Sequence, residues 1–183
     1  LDALWGAGIR NYPVIGPFPD HYVLNLPGAL AAFGEQNVID YYVELIRRFK
    51  PSIVVGHDRG GEYGHGAHRV SALGLEQAMP LAGDETYHTD TVEAYGVWDA
   101  PKLYLHFAEE NEIWLDVLTP LESYGGLTAY EVAHKAMLEH EGYPAPKFSM
   151  DESITDFYAF TKDSFKVEDY QFHPFDFEIP MAI

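Results

Sequence analysis

The chain has 183 residues, 47% of them hydrophobic, with 29 acidic side chains against 11 basic ones and a formal net charge of −18. That composition supplies a core and argues against wholesale disorder, while the negative charge repels phosphate backbones and anionic membrane surfaces and speaks against nucleic acid as a partner. The absence of cysteine removes disulfides, thiolate nucleophiles and cysteine zinc sites, and no apolar run approaches the roughly 18–20 residues of a bilayer span.

Taken in chain order, Asn11–Pro27 (NYPVIGPFPDHYVLNLP) is rich in proline, glycine and aromatic side chains and predicts an irregular, ordered loop. Val38, Ile39, Tyr42, Leu45, Ile46 and Phe49 recur at i, i+3, i+4 and i+7, which predicts an amphipathic helix over Asn37–Lys50, stopped by Pro51. SIVVG (52–56) is a short, continuous apolar run, as expected of a strand buried on both faces of a parallel sheet. A glycine-rich loop follows, and Ala67–Met79 reads as a second helix ended by Pro80. Helix, buried strand, loop and helix in succession predict an α/β sheet. KLYLHF (102–107) and EIWLDVL (112–118) predict further strands. Thr128 and Glu131 form a T-x-x-E capping box before a helix over Ala129–Glu141, closed by Gly142. Beyond Pro144, ITDFYAF (154–160) suggests a strand and FHPFDFEIP (172–180) an extended aromatic end. No linker demands a second domain, and the length suits one.

Chemistry concentrates in HDRGGEYGHGAHR (57–69), which holds three of the nine histidines. Ligands of α/β sheets bind beyond the carboxyl ends of the strands, where this loop is expected. His65 and His68 are three apart at a helix start and can face one side of the turn. Tyr63 brings a phenol that can donate to a developing oxyanion. Asp58 and Glu62 can orient a histidine or accept from a sugar hydroxyl, and Arg59 and His106 are further candidates for the wall of a cleft. A zinc site made from His57, His65 and His68 alone would need the loop to fold back tightly. Without a function, the same glycines simply make a turn and the histidines are structural. His134 and His140 on an amphipathic helix, and His88 and His173 in polar surroundings, read as structural or solvated.

KPSIVVGHDRGGEYGHGAHRVSA (50–72) resembles the second conserved block of the zinc-dependent N-acetylglucosamine deacetylases. These form the N-acetylglucosaminyl-phosphatidylinositol de-N-acetylase family, also called PIG-L or LmbE-like. Its pattern is an apolar strand ending in a polar pair, then G-x-Y-G-H-x-x-H. GIRNYPVIGPFPD (8–20) and YGVWDAPKLYLHFAEENEIWLDVLTPL (95–121) extend the resemblance, which covers most of Leu1 to about Gly142. It implies a Rossmann-like α/β fold and hydrolysis of a sugar acetamido group with Zn2+. His68 would be a zinc ligand, His65 a general acid or a stabiliser of the tetrahedral intermediate, and Tyr63 a holder of the oxyanion. The substrate would be a small molecule or glycan carrying an N-acetyl sugar.

Two departures qualify the match. Gly66 and Ala67 stand where many members have Pro-Asp, so another group must orient His65. The family's A-H-P-D-D-E motif, source of two further zinc ligands and the general base, is absent. Together with a start at Leu1, this leads to the expectation of a C-terminal portion of a deacetylase catalytic domain, inactive by itself. The first strands of its sheet would then be missing, leaving an unpaired edge and exposed apolar surface. The alternatives are a non-catalytic sugar-binding or regulatory homologue and an amidohydrolase with a non-sugar substrate. The sequence leaves compartment and oligomeric state open.

Overall fold

The computed structural model describes residues 1–19, 21–61, 64–106, 113–114, 116–139 and 171–174. In chain order its elements are α1 (Asp2–Gly6), α2 (Leu26–Phe33), α3 (Glu35–Phe49), β1 (Val54–Gly56), α4 (Gly66–Ala82), α5 (Thr89–Tyr95), β2 (Leu103–His106), β3 (Ile113–Trp114), β4 (Pro120–Leu121), β5 (Leu127–Thr128), α6 (Ala129–Leu138) and β6 (Gln171–Pro174). They divide into two units, one drawn from Leu1–Pro17 and 116–139, the other from 18–114 and 171–174.

In the second unit, α3 forms where the apolar spacing places it and buries Val38, Ile39, Val43 and Ile46. This face meets Leu75, Ala78, Met79 and Ala82 of α4 and Leu103 and Leu105 of β2 in one core cluster. Burying each large aliphatic side chain contributes about 1.5–3 kcal/mol relative to leaving it in water. At its C-terminus α3 turns through Lys50 in the left-handed region, with φ of 48°, and Pro51 prevents continuation.

The second helix runs longer than its sequence predicts. Pro80 was expected to end it at Met79, but α4 continues through Pro80 to Ala82. Pro80 lies exposed in the last turn, where its missing N–H affects a single carbonyl. The carbonyls left over at the helix end are taken up by Arg47 of α3, which is fully buried. Its Nη2 donates to Leu81 O (2.9 Å) and Asp84 O (2.7 Å), and its Nε to Ala82 O (3.1 Å). Its Nη1 donates to His88 O (3.0 Å) and the Thr91 hydroxyl (2.6 Å). Five bonds match the five N–H donors of a guanidinium, and a cation at a helix C-terminus is favoured by the helix dipole. Burial pushes the Arg47 pKa down, with Asp84 and Asp90 acting against that shift.

The strands of this unit pair in the order β1-β2-β6-β3. β1 and β2 are parallel, with Val55 opposite Tyr104, and are linked through α4 and α5. β6 is antiparallel to both neighbours, with Leu105 opposite His173 and Ile113 opposite Phe172. Helices and small sheets combine here as expected of an α/β chain. One expectation is corrected: the SIVVG run is not buried on both faces. Ile53 is 53% and Val55 58% exposed, because β1 is the terminal strand of the described sheet. Beside it runs an apolar groove of about 640 Å³ whose lining includes Leu45, Phe49, Ile53, Val55 and Leu75.

In the first unit, Thr128 opens α6 with the capping box read from the sequence. Its hydroxyl accepts from Glu131 N (3.1 Å), and the Glu131 carboxylate accepts from Thr128 N (2.8 Å). Helix α6 ends at Leu138, short of the expected Glu141. β4 and β5 pair antiparallel ahead of it. Of the segment EIWLDVL, Ile113–Trp114 forms β3 of the other unit, and of the C-terminal run Gln171–Pro174 forms β6. The ITDFYAF segment and His140 lie outside the described residues.

Candidate active site

The loop after β1 brings the histidines together. His57 leaves the carboxyl end of β1, and His65 occupies the N-cap position of α4 with φ −66° and ψ 126°. His68 follows in the first turn. Between them, Gly61 and Gly64 take φ of +76° and +85°, a region that side chains resist. Gly61 N donates to Asp58 O (2.9 Å), and Gly61 O accepts from Gly64 N (3.1 Å) and His65 N (3.2 Å). A Cβ at Gly61 would also lie 2.6 Å from His65 O. These turns fold the loop back, so that His57 stacks on His68 with ring centroids 4.1 Å apart and planes at 12°. His65 lies 4.9 Å from His68 at 41°.

A second segment closes on this loop. Gly66 N donates to Val23 O (2.8 Å), and a Cβ at Gly66 would lie 2.7 Å from Val23 O and 2.6 Å from Asn25 O. Asn25 is itself fixed, since its side chain accepts from Gly28 N (2.8 Å) and caps α2. The approach sets the ring of Tyr22 edge-on to His65, 5.6 Å between centroids and 67° between planes. Tyr22 was not a sequence candidate. Its aromatic, proline-rich loop is legible, but the contact with His65 depends on a backbone approach that no local pattern encodes.

The remaining candidates are distributed as follows. Asp58 is half-buried at the start of the loop. Arg59 turns to α4, its Nη2 and Nε lying 2.6 and 2.8 Å from one carboxylate oxygen of Glu76. His106, at the end of β2, lines the same groove as His57. The groove also holds the Tyr42–Ser71 hydroxyl pair, 2.7 Å apart. Burial pushes the Tyr42 phenol above its usual pKa, against the effect of the Ser71 bond. Glu62 and Tyr63 lie outside the described residues. His88 sits away from this loop, 3.1 Å from Asp40 and 3.4 Å from Asp90.

Among the described residues the imidazoles do not make a complete zinc site. A metal lies in the plane of the imidazole that binds it, at about 2.0–2.1 Å from the nitrogen. The near-parallel planes of His57 and His68 share no such point, so the two rings cannot both be ligands in this arrangement. Among the described residues, no group of three His, Asp or Glu side chains is placed to hold a metal ion. What the cluster does offer is imidazole, a side chain able to serve as general acid or base, at a strand-to-helix turn.

No family model matches the chain. It is 28% identical over 116 residues, 63% of its length, to the 1D-myo-inositol 2-acetamido-2-deoxy-alpha-D-glucopyranoside deacetylase of Nocardioides sp., of which it spans 35%. It is 37% identical over 62 residues, 34% of its length, to 1D-myo-inositol 2-acetamido-2-deoxy-alpha-D-glucopyranoside deacetylase 2 of Saccharopolyspora erythraea, of which it spans 22%. The chain thus covers about a third or less of the curated relatives it matches. The similarity is distant and partial, and both relatives are deacetylases of a 2-acetamido sugar joined to inositol.

Proposed function

We propose that the chain is the C-terminal part of the catalytic domain of a zinc-dependent deacetylase, acting on the N-acetyl group of an N-acetylglucosamine-containing substrate. The observation that carries this reading is the convergence of His57, His65 and His68 just beyond the carboxyl end of a parallel strand. The similarity to two sugar deacetylases supports it, as does the parallel pairing of β1 with β2, which a Rossmann-like sheet would require.

In this reading His68 is one zinc ligand, and the other donors and the general base come from an upstream motif of the intact protein. Zinc, when bound, polarises the amide carbonyl and activates water. His65, at the N-cap of α4, holds the proton that goes to the leaving amine, and Tyr63 donates to the oxyanion. His106 lines the groove beside His57, while Arg59 is drawn back to Glu76; Asp58 and Glu62 are proposed as substrate contacts.

The test uses the intact protein, with zinc content from elemental analysis and acetate release from N-acetylglucosaminyl-inositol. His68→Ala is expected to lose zinc. His65→Ala is expected to retain zinc and lose turnover by roughly 10²–10⁴-fold, the usual contribution of a general acid. Equal zinc loss in both variants would overturn the division of roles. Sugar binding by the wild type without acetate release would favour a non-catalytic homologue.

A further inference from the structure

We infer that Tyr22 is a sugar-stacking residue, a platform on which the pyranose ring of the substrate rests with its acetamido group towards His65. The inference rests on the deacetylase reading above and adds a substrate contact to it. The ring of Tyr22 is 79% exposed, yet the residues around it are held. Phe18 packs edge-on against Phe33 (6.2 Å) and Tyr41 (5.4 Å), and His21 packs against Phe33 (5.8 Å). Val23 packs on the cluster of Ala29, Val38 and Val70, its carbonyl is bonded to Gly66 N, and Asn25 caps α2. A large aromatic side chain left in water on an anchored backbone is poised for contact without the ordering cost that a loose loop would incur.

Its position suits the task. The Tyr22 ring is largely open to solvent, with the His65 imidazole 5.6 Å away between centroids. The C–H groups along one face of a pyranose match the negative face of an aromatic ring. A sugar seated on Tyr22 would lie beside the His65 imidazole. The phenolic hydroxyl is not required for such a contact, so phenylalanine or tryptophan should replace tyrosine.

The experiment is steady-state kinetics of the intact protein on N-acetylglucosaminyl-inositol, with Tyr22→Ala, Tyr22→Phe and Tyr22→Trp. For Tyr22→Ala, KM should rise about five- to tenfold, the scale of one aromatic contact, with kcat within about twofold. The Phe and Trp variants should keep the wild-type KM. An unchanged KM in the Ala variant, with the wild type active, overturns the inference and leaves the deacetylase reading standing. A fall in kcat at constant KM also overturns it, since Tyr22 would then be acting on His65. If the wild type releases no acetate, the functional reading fails. NMR saturation transfer to N-acetylglucosamine then decides: transfer that disappears in Tyr22→Ala supports stacking, and no transfer in the wild type overturns it. Circular dichroism of each variant establishes folding, which an exposed side chain should not affect.

Discussion

Gly66→Ala tests the closure of the Val23–Asn25 segment on the histidine loop. Alanine in a helix ordinarily gains about 0.4–1 kcal/mol over glycine by restricting the unfolded chain. Here the new methyl would lie 2.6 Å from Asn25 O, 2.7 Å from Val23 O and 3.1 Å from Ala29 Cβ. The two oxygens are backbone atoms and cannot rotate away. Overpacking of this kind costs about 1–3 kcal/mol, and pushing the strap off also weakens the 2.8 Å bond from Gly66 N to Val23 O, a further loss of about 1 kcal/mol. The net expectation is a destabilisation of about 1–3 kcal/mol, or a fall in Tm of roughly 3–10 °C for a chain of this size. Thermal and urea unfolding followed by circular dichroism measure it directly. A variant as stable as the wild type, or more stable, would refute the close approach, and with it the anchoring of Tyr22.

Arg47→Met should cost about 2–4 kcal/mol in urea unfolding, because the buried carbonyls that accept from the guanidinium lose that donor; a loss below about 1 kcal/mol would mean that water replaces the guanidinium at the end of α4. Arg47→Lys should cost less, because the charge and up to three of the five donors remain. Partial burial pushes the Asp40 carboxyl up, but bonds from Tyr87, Gln36 and His88 outweigh this and hold it below its ordinary 3.8. A depressed carboxylate stabilises the fold above its unfolded pKa and loses that contribution as pH falls through the folded value. Asp40→Asn should therefore flatten the loss of stability below about pH 4; an unchanged acid limb in urea midpoints would contradict the assignment.

Periodicity and capping carried α3 and the start of α6 through to the structure, because the signals at Val38–Phe49 and Thr128–Glu131 are local. The short helices α2 and α5 carry too few turns for a period to emerge: Leu26–Phe33 begins inside a proline-rich loop, and Thr89–Tyr95 is polar for most of its length. Pro80 misled because its effect depends on what receives the carbonyls at the helix end, and Arg47 arrives from another helix. An arginine on an amphipathic helix reads as solvent-facing; its burial is a tertiary fact. At the site, the crowding of histidines was legible in 57–69, as was the turn chemistry of its glycines. The stacking of His57 on His68, the pairing of Arg59 with Glu76 and the approach of Tyr22 were not, since each is set by distances across the fold.

In the described sheet β1 is an edge strand, which bears on how the molecule behaves in a tube. Ile53, Val55 and Phe49 are each more than half exposed beside a strand with backbone groups turned outward, a surface that invites another copy to add on. A net charge of −18 keeps copies apart only over the reach of the ionic atmosphere, about 10 Å in 0.1 M salt and about 3 Å in 1 M. Colloidal behaviour should then follow ionic strength: dilute buffers hold the chain dispersed, and concentrated salt lets the sticky edges meet.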